Sequence, residues 1–289
     1  MTPVVLATCA ALPAGDEDAE LLNDALQRRG LTARWQQWND PSAEWNDTLV
    51  VVRTTWDYTN SLEQFRAWAS SVRHLANPAE VIEWNTDKTY LLDLAAAGVP
   101  IVPTTVVRPG GTGQFPDGVE FVVKPSVGAG SRGAGRFAAG DVDAARAHLA
   151  QLHELGRTAL IQPYLADVDE HGETALIYVE GVFSHAIAKG AMLPAGVVHP
   201  HTSGPLFVKE NITERTPSAA EMAVGNQVLV ALRERYHYDL LYVRVDLLPS
   251  VEGPVLVELE LTEPSLFLGY GQGAADRFAA AIAAEAARR

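Results

Sequence analysis

Residues 121–136 read FVVKPSVGAGSRGAGR: a short apolar run, a lysine at its end, a proline, and then glycines at 128, 130, 133 and 135. Gly128-Ala-Gly130-Ser131-Arg132-Gly133 has the G-x-G-x-x-G spacing of a dinucleotide loop. Such a loop must join a strand to a helix, because the helix N-terminus receives the pyrophosphate. Here Gly135-Arg-Phe leads into another extended run, and the next helical pattern begins only near Asp141. The protein-kinase glycine loop fails differently, since its lysine follows the glycines whereas Lys124 precedes them. What remains is a β-hairpin flap with a cation at its root. Such a flap can close over a triphosphate through backbone N–H groups, with Ser126, Ser131 and Arg132 as further donors. The bland alternative is a plain mobile hairpin.

A second constellation is acidic. Arg244-Val-Asp246 and Glu258-Leu-Glu260 each place two charged side chains on one face of a strand. Apolar neighbours flank them, and charges in such a setting are costly unless paired or metal-bound. Carboxylate oxygens suit Mg²⁺, which takes one or two of them together with phosphate oxygens. Glu173 and Lys189 bound a pair of strand-like runs nearby in sequence.

A third stretch, Arg53-Thr-Thr-Trp56-Asp57-Tyr58, ends an apolar strand. Strand C-termini of parallel α/β sheets are where ligands sit. Cation, anion and rings together could receive an amino acid; the competing reading is an aromatic anchor with a capping aspartate. His199-Pro-His201 offers two rings to one ion but has no third ligand close by, so a histidine pair in a substrate lid is the simpler reading. His185 is as suited to packing in a strand as to touching substrate.

These residues need elements to hold them. Strands over Val4–Thr8, Thr32–Trp38 and Thr48–Arg53 alternate with helices over Asp18–Arg29 and Leu62–Val72, which predicts a small parallel α/β layer over residues 1–80. In the first helix Leu21, Leu22, Ala25 and Leu26 are expected on one buried face. The pattern then predicts a helix over Thr86–Ala97, a short strand after Val99-Pro-Ile-Val-Pro, strands over Glu120–Lys124 and Gly135–Ala138, a helix over Asp141–Leu155 and a strand over Ala159–Pro163. Residues 81–165 form the unit that carries the flap, and 166–289 the unit that carries the acids. The latter has a hairpin, Ala175–Val179 and Val182–Ala188 about Gly181, then an aperiodic loop or lid over Met192–Gly204. A helix over Ser218–Tyr236, strands over Leu240–Leu248 and Val255–Leu261, and a helix over Ala274–Arg289 follow.

Composition bounds the partners. At 289 residues with 47% apolar and 20% charged content the chain has length for a real core. A net charge of −14 opposes binding to nucleic acid or an anionic membrane, while a few cations gathered in one cleft can still hold ATP. Cys9 is the only cysteine, so no internal disulfide forms, as in a reducing cytoplasm. Leu6-Ala-Thr-Cys9 lacks the preceding basic residue and long apolar run of a signal peptide, and no run approaches the ~20 apolar residues of a membrane span.

From residue 78 to 275 the motifs resemble the ATP-grasp superfamily, in which two α+β subdomains grip ATP behind an N-terminal Rossmann-like layer. Asp87-Lys88…Gly98-Val99-Pro100 looks like its first lysine-bearing helix, and Lys124 its second phosphate lysine. The resemblance implies that Gln162, Pro163, Tyr164 and Leu165 read adenine, that Asp167 meets the ribose, and that Gly128, Gly130, Ser126 and Ser131 serve the phosphates. It further implies that Asp246, Glu258 and Glu260 hold Mg²⁺, with Mn²⁺ as an alternative ion, and that Arg244 and Lys189 stabilise an acyl phosphate. One departure stands out: the family usually reads Glu-x-Asn where this chain has Glu258-Leu-Glu260. Arg53–Tyr58, Ser184-His185 and Glu258-Leu-Glu260…Glu263-Pro-Ser-Leu-Phe267 are similar to the subgroup containing the D-cycloserine-forming ligase. That subgroup makes Arg53, Trp56, Asp57, Tyr58, Glu173 and His185 candidates for contact with an amino-acid-like substrate such as O-ureido-D-serine. Homodimers are a further expectation from the superfamily. An intermolecular carboxylate–amine ligase, a kinase, a nicotinamide oxidoreductase and a non-catalytic nucleotide-binding module remain the rivals.

Overall fold

A computed structural model of the chain describes residues 2–191, 193–200 and 211–288. Its first layer is a four-stranded parallel sheet in the order β2-β1-β3-β4, from β1 (Thr2–Thr8), β2 (Leu31–Gln37), β3 (Leu49–Thr54) and β4 (Leu75–Ala76). All of β3 and most of β1 are buried, which is why both read as unbroken apolar runs. Helix α1 (Ala19–Arg28) buries Leu22, Ala25 and Leu26. Leu21, expected beside them, is instead 45% exposed and faces a large cavity. Helix α2 (Leu62–Ser71) closes the layer through Phe65 and Trp68.

The predicted helix over Thr86–Ala97 starts later, as α4 (Tyr90–Ala96), and a separate helix that was not expected, α3 (Ala79–Asn85), precedes it. Between them Asp87 accepts from the Thr89 amide at 3.0 Å, and the Lys88 amide donates to the Ser126 carbonyl at 2.8 Å. Local side-chain bonding of this kind competes with a helical ladder. The break carries Lys88 to the root of the flap. Val81, Tyr90, Leu91 and Leu94 pack with Leu176, Tyr178, Val243 and Leu259 of the large C-terminal sheet.

A four-stranded antiparallel sheet follows, order β5-β8-β6-β7: β5 (Thr105–Val107), β6 (Phe121–Pro125), β7 (Gly135–Phe137) and β8 (Ala159–Pro163), with α5 (Val142–Glu154) on its apolar face. The short helix α6 (Val168–His171) leads to a five-stranded antiparallel sheet in the order β11-β10-β9-β12-β13. Its strands are β9 (Glu173–Val179), β10 (Val182–Lys189), β11 (Ile212–Glu214), β12 (Tyr242–Leu248) and β13 (Val255–Glu260). Glu180 and Gly181 both have positive φ, 45° and 73°, as a two-residue hairpin turn with the right twist requires. Helix α7 (Ala219–Tyr236) starts in a capping box of Ser218 and Glu221. The last helix, α8 (Ala274–Ala287), puts Phe278 and Ile282 into one cluster with Val4 and Leu6 of β1 and Ala175 and Ile177 of β9. The first sheet and the large sheet therefore share a core. Of the aperiodic loop, residues 193–200 are described; Met192 and residues 201–204, including His201, lie outside the described residues.

Candidate active site

A cavity of about 870 Å³ opens where the three sheets meet, within the range of small-molecule sites. Lys88, Lys124, Lys189 and Arg244 line it together with Glu173, Glu258 and Glu260. So do Gly128, Gly130 and Ser131 of the flap, Gln162, Pro163, Tyr164 and Leu165 after β8, and Trp56 and Tyr58 after β3.

Charges on the β12–β13 face are matched strand to strand. Arg244 stands opposite Glu260, and Asp246 opposite Glu258, in the antiparallel register. Arg244 grips Asp246 through Nε at 2.9 Å and Nη2 at 2.8 Å, and also ion-pairs with Glu260. Lys189 bonds Asp246 at 2.7 Å and pairs with Glu173. Lys88 pairs with Glu258 at 3.1 Å and donates to the Gly128 carbonyl at 2.5 Å, which ties it to the flap. Lys124 differs: among the described residues it has no hydrogen bond or ion pair, and burial lowers its pKa to about 8. A half-buried ammonium that lines the cavity without an ion pair of its own suits phosphate.

The carboxylates diverge in the same way. Against the cost of burial, Lys88 and Lys124 hold Glu258 below its ordinary pKa, and Arg244 and Lys189 hold Asp246 well below. Burial raises Glu173 to about 7 despite Lys189. Burial raises Glu260 to about 8 despite Arg244, with Glu258 and Asp246 adding to the rise. Such crowding of negative charge is relieved by a divalent cation. The donors are all oxygen, so the set fits Mg²⁺, although no three carboxylates converge on one point among the described residues.

Several residues expected at the site stand outside its lining. Ser126 is buried behind the flap, its amide on the Thr158 carbonyl and its own carbonyl on Lys88. Asp167 is exposed at the start of α6. Asp57 accepts from Trp38 Nε1 at 2.7 Å, the anchoring arrangement rather than a ligand contact. Arg132 does line the cavity, but its guanidinium donates to the Trp56 carbonyl and Thr59 hydroxyl, both at 3.0 Å. His199 joins the flap through its backbone, bonding Ala134 at 2.9 Å and Gly133 at 3.2 Å.

Arg53, Trp56 and His185 share a task that spacing did not reveal: they fix the loop after β13. Trp56 Nε1 donates to the Glu263 carbonyl at 3.0 Å, and Arg53 Nη1 to the Pro264 carbonyl at 3.0 Å. Arg244 Nη1 donates to the Ser265 carbonyl at 3.1 Å, and His185 Nε2 lies 2.9 Å and 3.1 Å from the carbonyls of Leu266 and Phe267. Asp18 then accepts from the Leu268 amide at 2.7 Å. Arg53 and His185 thus stand behind the wall, whereas Trp56 also reaches the cavity. This wall adds Glu263, Ser265, Phe267 and Tyr270 to the lining, and the N-terminal layer adds Asp16, Glu17 and Asp18. Phe267 holds a left-handed φ of 51°, a strained conformation for a bulky residue and a frequent mark of functional sites.

Residues 4–77 match the family described as D-cycloserine synthetase DcsG, N-terminal domain. The chain is 38% identical over 285 residues to the cycloserine biosynthesis protein DcsG of Streptomyces lavendulae, covering 93% of each. The crystal structure of D-cycloserine synthetase DcsG superposes with a TM-score of 0.88 at 35% identity, over 98% of this chain and 99% of that one. The D-alanine–D-alanine ligase of Bacillus anthracis, complexed with ATP, shares the fold with a TM-score of 0.65 at 12% identity, over 100% and 98% of the chains. With this relatedness running the length of the chain and an ATP-grasp architecture around one charged cavity, the chain belongs to the DcsG family of ATP-grasp enzymes, ADP-forming carbon–nitrogen ligases.

Proposed function

We propose that this chain activates the carboxylate of O-ureido-D-serine with ATP and closes the ring of D-cycloserine. The observation that carries the reading is the meeting of four cations and a carboxylate pair, Glu258 and Glu260, around one cavity. The relatedness to a cycloserine biosynthesis protein and to D-cycloserine synthetase supports the product, and O-ureido-D-serine is the amino-acid-like precursor that the subgroup resemblance implies.

Lys88, Lys124 and the backbone N–H groups of the flap bind the triphosphate, and the segment Gln162–Leu165 holds the adenine. Glu258 and Glu260, with Asp246 across from Glu258 in the strand register, would hold Mg²⁺, which supplies charge neutralisation at the phosphates. Phosphoryl transfer asks the protein chiefly for positioning and charge stabilisation. Arg244 and Lys189 orient the substrate carboxylate for attack on the γ-phosphorus, and ADP leaves. They then stabilise the acyl phosphate. The nitrogen next to the side-chain oxygen attacks the acyl carbon; phosphate leaves, the nitrogen gives up its proton, and its carbamoyl group is shed by hydrolysis. The flap keeps water from the acyl phosphate meanwhile. Residues 1–80, 81–165 and 166–289 act as the N-terminal layer, the flap-bearing subdomain and the acid-bearing subdomain. No described helix is long and apolar enough to cross a membrane, and a cytoplasmic enzyme with a small-molecule partner fits the reading.

The test is release of ADP and phosphate from Mg-ATP with O-ureido-D-serine, with products followed by mass spectrometry. Cycloserine with stoichiometric ADP is expected. ATP binding without turnover of this compound would sink the substrate assignment and leave the family intact.

A further inference from the structure

From the charge accounting of the cavity we infer that Glu263 is the anchor for the substrate's α-ammonium group. Each carboxylate on the strand face has a cation: Glu258 has Lys88, Glu260 has Arg244, Glu173 has Lys189, and the buried Asp246 has both Arg244 and Lys189. On the N-terminal side Asp16 and Asp18 face the buried guanidinium of Arg53, each at 3.8 Å. Glu17 lines the cavity from an exposed loop. Glu263 alone among these inner acids has no ion pair with any described residue. Its neighbour is the buried Tyr58 hydroxyl, which donates toward it. Burial first, and then the nearby Glu260, raise its pKa to about 8 against the longer-range pull of Lys88, which is itself paired with Glu258.

A carboxylate placed so is costly in the free protein, and the structure holds it there firmly. Its own carbonyl is fixed by Trp56, and the following residues are fixed by Arg53, Arg244, His185 and Asp18. Side chains from four separate segments rigidify one loop, as pre-organised binding requires. Lys124 is the reciprocal case, a half-buried cation of the cavity lining with no ion pair among the described residues. Phosphate answers the lysine; a ligand ammonium answers the glutamate. Because Arg244 and Lys189 take the carboxylate, an ammonium at Glu263 fixes a second point of the amino acid. With the side chain as a third point, the pair Glu263–Tyr58 decides between D and L enantiomers.

This inference rests on the proposed amino-acid substrate, and its test separates the two. Binding and ADP release are measured for the wild type, Glu263→Gln and Glu263→Asp, with Mg-ATP and either O-ureido-D-serine or its deamino counterpart, 3-(ureidooxy)propanoate. The wild type should prefer the amino compound about 30-fold, the scale of one charge-assisted hydrogen bond. Glu263→Gln should lose that preference through KM, with the KM for ATP within about threefold, and Glu263→Asp should restore part of it. No preference in the wild type, or a preference that survives Glu263→Gln in a variant with wild-type Tm, overturns the inference. If O-ureido-D-serine is not turned over at all, the substrate assignment fails by itself. D- and L-amino acids and their deamino counterparts, read by thermal shift with Mg-ATP, then give the same ratio, and the absence of any amino-dependent stabilisation overturns the role of Glu263.

Discussion

The flap wall and the loop wall of the cavity are built by opposite means. On the flap wall, Lys124 and the glycines come from one stretch of sixteen residues, and a single hairpin positions them. On the loop wall, residues 263–268 are held by side chains at positions 18, 53, 56, 185 and 244. The first wall presents a cation without an ion pair; the second presents a carboxyl group without an ion pair and is fixed at nearly every residue. A wall fixed by side chains from four segments suits discrimination among small substrates.

The largest expected effect falls between the two walls. Glu258→Ala should lower ADP release by about 1000-fold, the scale for removing a group that stabilises charge in a transition state; wild-type turnover in that variant would remove Glu258 from the metal set. On the flap wall, Lys124→Ala should weaken ATP binding by about 30-fold while leaving the KM for the amino acid nearly unchanged. A titration sharpens the point. Lys124 is charged below its pKa of about 8, so its contribution to ATP affinity is present below that pH and fades as pH rises through it. Affinity measured from pH 7 to 9.5 should decline in the wild type, and Lys124→Arg should flatten the decline because a guanidinium stays charged.

On the loop wall the matching change is smaller. Trp56→Phe keeps the ring and the carbonyl and deletes only the indole donor to Glu263. Loss of one hydrogen bond of about 1 kcal/mol is expected, seen as a lower Tm and a severalfold higher KM for the amino acid at unchanged ATP affinity. An equal loss for both substrates would erase the distinction between the walls.

The flap wall was legible because its chemistry is contiguous: the order of lysine and glycines excluded two familiar loops and left a third. Strand period two likewise placed Arg244 with Asp246 and Glu258 with Glu260, and the register then set the two pairs face to face. The loop wall was legible only as a list of suitable residue types. Arg53 and His185 read as substrate contacts because a cation and an imidazole near a strand end invite that role; their real partners, the carbonyls of residues 264, 266 and 267, lie some 80 to 210 positions away. Backbone carbonyls carry no signature in a sequence. Glu263 was visible inside a subgroup motif, yet nothing local showed that it would lack a cation. The late start of the helix expected from Thr86 was hidden for a related reason, since a carbonyl of the distant flap root accepts the Lys88 amide.

Trp56 stands on both sides of this division. Its carbonyl accepts from Arg132 of the flap, while its indole donates to the carbonyl of Glu263. Under the proposed reading, any movement of the flap during nucleotide exchange would disturb a residue that also holds the loop after β13. By linkage, whatever one occupant gains from a settled Trp56 the other gains by the same factor. Half-filled enzyme is then the leakier form toward either ligand, and commitment to reaction rises when both are aboard.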